Sequence, residues 1–535
     1  MQRYTTYIPG SLGLPRRFLQ IVRHKIWSVV AVGLLALAIR AAVIPVVGIP
    51  QPEHHDEFGY LLSGDTFSHG RLTNPPHPMW VHFEGFHIIQ HPTYSSIYPP
   101  AQGVVLAVGE ILGHPWIGQL LITALMCSAI CWMLQGWVPP QWALYGAVLV
   151  VLRLGILRYW VNGYWSASVV ALGGALVLGA LPRIKKKRRI VDAIVMAIGI
   201  AILANSRPFE GFILCLTITV ALLLWIIRPR HPELKVVMIH VVAPVAIVLL
   251  TGAIATGYFY YRVTGNPLKM TYQVDSQTYN PVPYFLWQTP RPEPAYHHVV
   301  MQNFYERDLS DFYKHRTMRG FFSYSASRVS ENWNFYLGGL LTLPLITLPW
   351  TLRDRRMRYP LVACVVFLVA LMSETWSMPH YAAPALGLLM LLVVQCARRL
   401  ALWNCREYAV GRFLIQMIPI LLFATLILRV ANAATHPDTQ KTWPRGNQER
   451  AAILKELEQS SGKHLILVRY SRQHDPKIEW VYNSADIDGA SVVWARDMGY
   501  GENQELLQYF HDRKVWQLEA DSTPAKLSPS VTHLP

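Results

Sequence analysis

Residues 27–57 read WSVVAVGLLALAIRAAVIPVVGIPQPEHHDE. The run from Trp27 to Gly48 is apolar and long enough to cross a bilayer, which takes about 20 such residues. Pro50 and Pro52 end it, and His54-His55-Asp56-Glu57 follows within two helical turns. A carboxylate fixed at that depth acts as a base on a substrate whose other end lies in lipid. A soluble substrate finds proton acceptors in bulk water, so the position argues for lipid-borne chemistry.

Working outward, the 535-residue chain is 52% hydrophobic and only 15% charged, where a soluble protein carries about a quarter. Further apolar runs account for the excess and define an α-helical polytopic membrane protein. The formal charge of +16 sits mostly in short basic tracts between those runs. That is a topology signal, and no nucleic-acid partner is expected. Five of the six cysteines lie in apolar runs and Cys405 in a basic loop, so no external disulfide framework is expected. Trp27 to Gly48 lacks a small-residue cleavage site and reads as a retained signal anchor.

Basic clusters set the inside. They are Arg16, Arg17, Arg23 and Lys25, then Arg183 to Arg189, Arg228 to Lys235, Arg353 to Arg358, and Arg398 to Arg412. With the N-terminus cytoplasmic, the Asp56-Glu57 loop is outside, and an odd number of spans must lie between that loop and the inside tract Lys185 to Arg189. The run 99–113 is short and opens with Pro99-Pro100, which suits an interfacial or re-entrant helix. The other runs predict eleven spans, at 27–48, 115–137, 141–157, 165–182, 190–204, 209–227, 236–261, 336–352, 358–376, 381–397 and 412–432. Residues 1–432 then form the transmembrane domain, with external loops at 49–114 and 262–335. Residues 433–535 form a small extracytoplasmic α/β domain. Its strands are expected at His464 to Tyr470, Glu479 to Tyr482, Ala490 to Arg496 and Lys514 to Leu518, with helices near 447–460 and 503–513.

Adjacent side chains on a helix diverge by about 100°, so Asp56 and Glu57 cannot share one task. One faces the reaction centre while the other orients a partner or a cation; capping of an interfacial helix over Phe58 to Thr66 is the structural alternative. Arg158 ends the third span and Arg207 the fifth, at the depth of a lipid phosphate, which a guanidinium matches bidentately. Snorkelling at the interface is the competing explanation. Arg40 and Arg153 sit deeper and need a partner. The first loop holds His54, His55, His69, His77, His82, His87 and His91, so a divalent metal is compatible, with Glu84, His54 and His91 as candidates. No spacing there matches a closed metal site. His380-Tyr381 occupy a short outer turn, placed to contact sugar or phosphate or to anchor at the interface beside Trp376. Tyr272, Tyr279, Tyr284, Trp287 and Tyr296 suit sugar stacking, lid closure or an interfacial belt.

In order and position these motifs resemble the GT-C integral-membrane glycosyltransferases, in the branch of protein O-mannosyltransferases and aminoarabinose transferases. The stretches are Asp56-Glu57 after the first span, Ile97-Tyr98-Pro99-Pro100-Ala101-Gln102-Gly103, Leu157-Arg158-Tyr159-Trp160, Ser206-Arg207-Pro208, and Pro379-His380-Tyr381-Ala382-Ala383-Pro384. The resemblance implies Asp56 as catalytic base, Glu57 as the second acid of the pair, and Arg158 and Arg207 as ligands of a donor phosphate. His55, Tyr98, His380 and Tyr381 are the expected substrate contacts. Some relatives have an acid just before the Pro-Pro, where this chain has Ile97-Tyr98, and the second acid after the family arginine is missing beside Asn162 and Tyr164.

The implied reaction moves a sugar from a polyprenyl-phosphate-linked donor to a hydroxyl of a protein, lipid or glycan, with inversion. The implied setting is the bacterial inner membrane, with the N-terminus cytoplasmic and the C-terminus periplasmic. No cofactor beyond the divalent metal is implied. A transporter or flippase of a polyprenyl-linked sugar is the alternative; it would use the same groove and cations without bond breaking. The inverted repeats and paired broken helices that mark transporters are not visible. A sensor or scaffold acting through the tail is the third reading.

Overall fold

The computed structural model describes residues 24–227, 232–405, 408–435 and 445–530. Arg16, Arg17, Arg23 and Arg228, used in the topology argument, lie outside these residues. Helices α1 (Lys25–Ala42), α2 (His55–Ser68), α3 (Pro100–Ile111), α4 (Pro115–Trp137), α5 (Pro140–Leu154), α6 (Ala167–Lys187), α7 (Ile190–Ala204) and α8 (Pro208–Ile226) form the first half. The second half holds α9 (Leu234–Thr264), α10 (Thr271–Thr278), α11 (Val299–Arg316), α12 (Met318–Tyr336), α13 (Gly338–Leu352), α14 (Arg358–Leu371), α15 (Pro379–Leu400) and α16 (Val410–Thr435).

Every run read as a span is helical, but among the described residues seven helices are long and apolar enough to cross a membrane: α1, α4, α6, α8, α9, α15 and α16. An eighth is reached if α12 and α13, bent by 98°, count as one span. The difference from eleven is one of length. At about 1.5 Å per residue, 15-residue α5 and α7 and 14-residue α14 reach roughly 21–22 Å against a hydrocarbon core of about 30 Å. Run 336–352 bends at its start, where Gly338 takes φ 56° in the left-handed region. Helix α9 leaves Ile247, Leu250 and Ile254 exposed, as a lipid-facing helix does.

The first loop is built on close helix contact. Pro100 opens α3, as expected for the short run, and α3 lies against α2 through glycine. A Cβ on Gly64 would come within 2.8 Å of Leu106 Cβ, and one on Gly103 within 2.5 Å of Ser63 Cβ. The two-residue strands β1 (Ile88–Ile89) and β2 (Ser95–Ser96) pair antiparallel beside this helix pair.

The C-terminal unit has α17 (Gln448–Gln459), β3 (Lys463–Arg469), β4 (Val492–Arg496), α18 (Tyr500–Tyr509), β5 (Arg513–Glu519) and β6 (Lys526–Pro529), in sheet order β4-β3-β5-β6. Strands β4 and β5 run parallel to β3, and β6 is antiparallel to β5. On β3, Ile466 and Val468 pack with Leu457 of α17. Leu465 and Leu467 face the other way, towards Leu506 of α18 and towards Leu62, Phe83 and Tyr94 of the first loop. The sheet therefore rests on the loop that carries Asp56. Residues 479–482 are not the expected strand. Their backbone is used against that loop instead: Glu479 N–H donates to Glu53 O at 3.0 Å, and Tyr482 stacks on Phe58 with ring centroids 4.6 Å apart. Strand β6 was not anticipated.

Candidate active site

The first turn of α2 carries Asp56. Asp56 accepts a hydrogen bond from the Tyr98 hydroxyl and lies 3.2 Å from His55 Nδ1 and 3.5 Å from His87 Nδ1. Burial opposes its ionisation. The electrostatic pull of His87 and His55, with hydrogen bonds from His55 and Tyr98, overcomes burial and holds the carboxyl well below the usual range. Burial pushes the His87 imidazole down to about 4, so it is neutral near pH 7. His87 sits at φ 62°, a left-handed backbone rarely taken by a non-glycine residue, with its Nδ1 2.9 Å from that of His55.

Glu57 points elsewhere, as the divergence of neighbouring helical side chains requires. Its Oε2 accepts from the N–H groups of Glu53 and His54 at 3.1 and 3.2 Å, and its Oε1 from that of Tyr164 at 3.0 Å. Both oxygens accept from backbone N–H groups, which makes Glu57 part of the frame of the helix start. Burial raises its pKa against the pull of His54 and these N–H groups. Gly163 makes room for it: a Cβ there would lie 2.7 Å from Oε1.

Across from this cluster stands Arg207, the residue before α8. Its guanidinium lies 3.9 Å from the Tyr381 ring centroid, donates to His380 Nε2, and has Glu210 Oε1 at 3.5 Å. His380 Nδ1 in turn meets the Tyr159 hydroxyl at 3.0 Å. Among the described residues, buried Arg207 Nε has no hydrogen-bond partner. A half-buried guanidinium with an open, buried N–H and only a long carboxylate contact suits an anionic oxygen. Between the two poles lie Tyr98, stacked on Tyr60 at 4.0 Å, and Tyr272, 6.1 Å from Tyr98. Tyr60 lies in the fields of both Arg207 and Asp56. The structure thus brings together Asp56, His55, Tyr98, Arg207, His380 and Tyr381 from separate parts of the chain.

Arg158 does not join them. In the turn after α5, Tyr159 takes the inward direction towards His380, and Arg158 diverges from it. Its guanidinium lies 5.0 Å from the Phe335 ring centroid. Arg40 and Arg153 have partners of their own, Gly48 O at 2.8 Å and Phe335 O at 3.1 Å.

The metal candidates are likewise apart. Glu84 accepts from the Tyr279 hydroxyl at 2.7 Å and has His297 Nδ1 at 2.9 Å; His54 Nδ1 meets Lys477 O at 3.0 Å; His91 packs on Trp80. Another set converges: His55, Asp56 and His87. Their ligand atoms lie within 4.8 Å of one another, with His55 Nδ1 2.9 Å from His87 Nδ1 and the two imidazoles 3.2 and 3.5 Å from different oxygens of Asp56. These three residues fit one face of a divalent cation.

An apolar groove opens beside this chamber. A cavity of about 760 Å³ next to Asn205 and Pro208 is walled by Leu249, Ile254, Tyr258 and Tyr261. It meets, at Leu249, a second of about 350 Å³ lined by Cys215, Ile218 and Val241. Both lie among α7, α8 and α9.

No known family profile matches the chain, and no curated sequence is significantly similar to it. Solved structures are similar. ArnT from Cupriavidus metallidurans in the apo state aligns with TM-score 0.51 and 14% identity over 83% of each chain. ArnT bound to undecaprenyl phosphate aligns with TM-score 0.51 and 12% identity, over 91% of this chain and 92% of that one. This chain shares its fold with ArnT. The apo oligosaccharyltransferase of Archaeoglobus fulgidus aligns at TM-score 0.45 and 13% identity. This chain spans 58% of its length.

Within this fold, sequence reasoning named Asp56, His55, Tyr98, Arg207, His380 and Tyr381 but not all of their neighbours. His87 appeared only as one histidine among seven, because nothing local marks a residue whose ring is aimed by an unusual backbone angle. Tyr60 and Glu210 gave no signal, being a helical tyrosine and a lone acid inside an apolar span.

Proposed function

We propose that this chain is a glycosyltransferase that moves a sugar from a polyprenyl-phosphate-linked donor to an acceptor hydroxyl at the extracytoplasmic side of the bacterial inner membrane. The observation that carries the reading is the opposition of an ionised Asp56 and an anion-ready Arg207 across the tyrosine cluster, at the head of an apolar groove. The likeness in fold to ArnT, a protein solved with undecaprenyl phosphate, supports the same donor class. In this reading the prenyl chain lies along α7, α8 and α9, with its phosphate at Arg207, His380 and Tyr381.

The acceptor oxygen attacks the anomeric carbon opposite the phosphate, so the centre inverts. The hydroxyl proton passes to Asp56, and the electron pair of the cleaved C–O bond leaves on the polyprenyl phosphate. That leaving group needs charge stabilisation more than protonation, which a half-buried guanidinium supplies. Hydrogen bonds from Tyr98 and His55 keep Asp56 ionised and aimed, with His87 beside it. A divalent cation held by His55, Asp56 and His87 would supply Lewis-acid charge beside the acceptor oxygen. The N-terminus is assigned to the cytoplasm and residues 433–535 to the periplasm, where they would adjoin the acceptor.

The test is incubation of purified protein with a panel of polyprenyl-phosphate sugars, measuring released polyprenyl phosphate. Asp56→Asn should lower release by about 10²- to 10⁴-fold, the usual worth of general-base catalysis, while donor binding persists. Near-normal turnover in that variant overturns the assignment of the base. Donor binding without any release favours the flippase.

A further inference from the structure

The C-terminal sheet has a ligand-binding topology of its own. Its chain crosses from β4 on one side of β3 to β5 on the other, with all three strands parallel. In open α/β sheets, ligands bind outside the carboxyl ends of the strands where the winding reverses. At that edge the loop after β3 is tied to the loop after β5. Asp521 accepts from Ser471 N–H at 2.7 Å and meets His474 Nδ1 at 2.6 Å. His474 is buried by this contact and by its ring contact with Tyr470, 4.0 Å between centroids.

The tied loop faces α11 across a cavity of about 440 Å³, lined by Asn303, Glu306, Arg307, Arg472, Gln473 and His474. The volume is within the range of small-molecule sites. Val300 and Pro476 supply an apolar part, but most of the wall is hydrogen-bonding, so it suits a polar ligand better than an acyl chain. Two guanidinium groups against one carboxylate favour a ligand with negative charge. Amides and a fixed imidazole favour one rich in hydroxyls.

The cavity adjoins the catalytic cluster through α11. Phe304 follows Asn303 on that helix, and its ring lies 5.5 Å from that of His55 and 4.6 Å from that of Phe86. One turn on, Asp308 accepts from Trp376 Nε1 at 2.8 Å. One face of α11 lines the cavity and the next meets the residues around Asp56.

We propose that this cavity binds the acceptor, and that the acceptor is a saccharide bearing a carboxylate or a phosphate. Arg307 and Arg472 take the anionic group, and Asn303, Gln473 and His474 take ring hydroxyls. That the ligand is an acceptor rests on the sugar-transfer reading above; that the cavity binds an anionic saccharide does not.

The experiment uses the full-length protein in detergent, with binding of glucuronate, glucose 6-phosphate and uncharged methyl glucoside measured by saturation-transfer NMR. At least one anionic sugar should bind more tightly than methyl glucoside, and the two anionic arms tell carboxylate from phosphate. Arg472→Ala and Arg307→Ala, both at exposed positions, should each weaken that binding at least tenfold. Undecaprenyl phosphate binding, measured on the same samples, should be unchanged by either variant. The proposal is overturned if neither anionic sugar binds, or if both variants stay within twofold of the parent. Failure of the parent protein to bind undecaprenyl phosphate would count against the donor reading alone.

Discussion

Glu57→Gln separates a framing residue from a catalytic one. The carboxylate receives three backbone N–H groups, at 3.1, 3.2 and 3.0 Å, shared between two oxygens. An amide has one oxygen, so it keeps either the Glu53 and His54 pair or the Tyr164 bond, and turns its own N–H groups towards the rest. Hydrogen bonds to charged groups are worth about 1.5–3 kcal/mol each. Taking about 2 kcal/mol for the bonds lost, local opening at one of these sites becomes roughly 30-fold easier. Hydrogen exchange with mass-spectrometric readout of segments 50–60 and 160–168 measures that opening directly. Exchange should accelerate by about this factor in at least one segment, and sugar transfer should fall with it because Asp56 is the next residue. If transfer collapses while exchange in both segments matches the parent protein, Glu57 belongs to the chemistry and the framing argument fails.

Other outcomes follow from the same geometry. Arg207→Lys keeps a positive charge beside Glu210 but loses the planar contact with Tyr381 and the fork towards His380, so undecaprenyl phosphate should bind about 10- to 100-fold more weakly. An unchanged Kd would place the donor phosphate elsewhere. The buried pair Glu479–Arg496, 3.0 Å apart, joins the C-terminal unit to the first loop, since Arg496 Nε also donates to Glu84 O at 2.6 Å. Burial opposes the charge on Glu479. Arg496, with the Tyr470 hydroxyl and the Val481 N–H, outweighs it and holds the carboxyl below its usual value. A depressed carboxyl contributes its full stability above the unfolded pKa near 4.3 and loses it as pH falls through the folded value. Protease resistance of the C-terminal unit should therefore be flat from about pH 7 to pH 5 and decline only in stronger acid. Glu479→Gln should remove this pair's share of that acid step and cost about 3–5 kcal/mol by stranding Arg496. An acid transition unaltered by the substitution would rule out this pair as its cause.

The site was partly legible in the chain. The Asp56-Glu57 pair after an apolar run, the arginine before Pro208 and the His380-Tyr381 turn could all be found because each sits where a span ends. Position relative to a membrane can be read from run length and charge. What could not be read was direction. Arg158 occupies an equally suggestive place at the end of an apolar run, yet it turns onto Phe335 because its neighbour Tyr159 takes the inward path. Glu57 and Asp56 were expected to diverge, but which of them was tied to backbone depended on an N–H group from residue 164, far along the chain. The residues 479–482 have strand-like composition, and contact with the first loop overrode that local preference.

The sequence by itself determined that this is a many-helix membrane protein with a small α/β tail, because apolar run length and basic-tract spacing act locally and need no partner to be recognised. It also determined which turns adjoin the ends of the apolar runs. Tertiary structure alone decided that His87 joins His55 and Asp56, that Arg207 stands opposite them, and that the tail rests on the loop carrying the carboxylate. Those facts depend on side-chain directions set by helix phase and by contacts between residues hundreds of positions apart, and no local pattern encodes them.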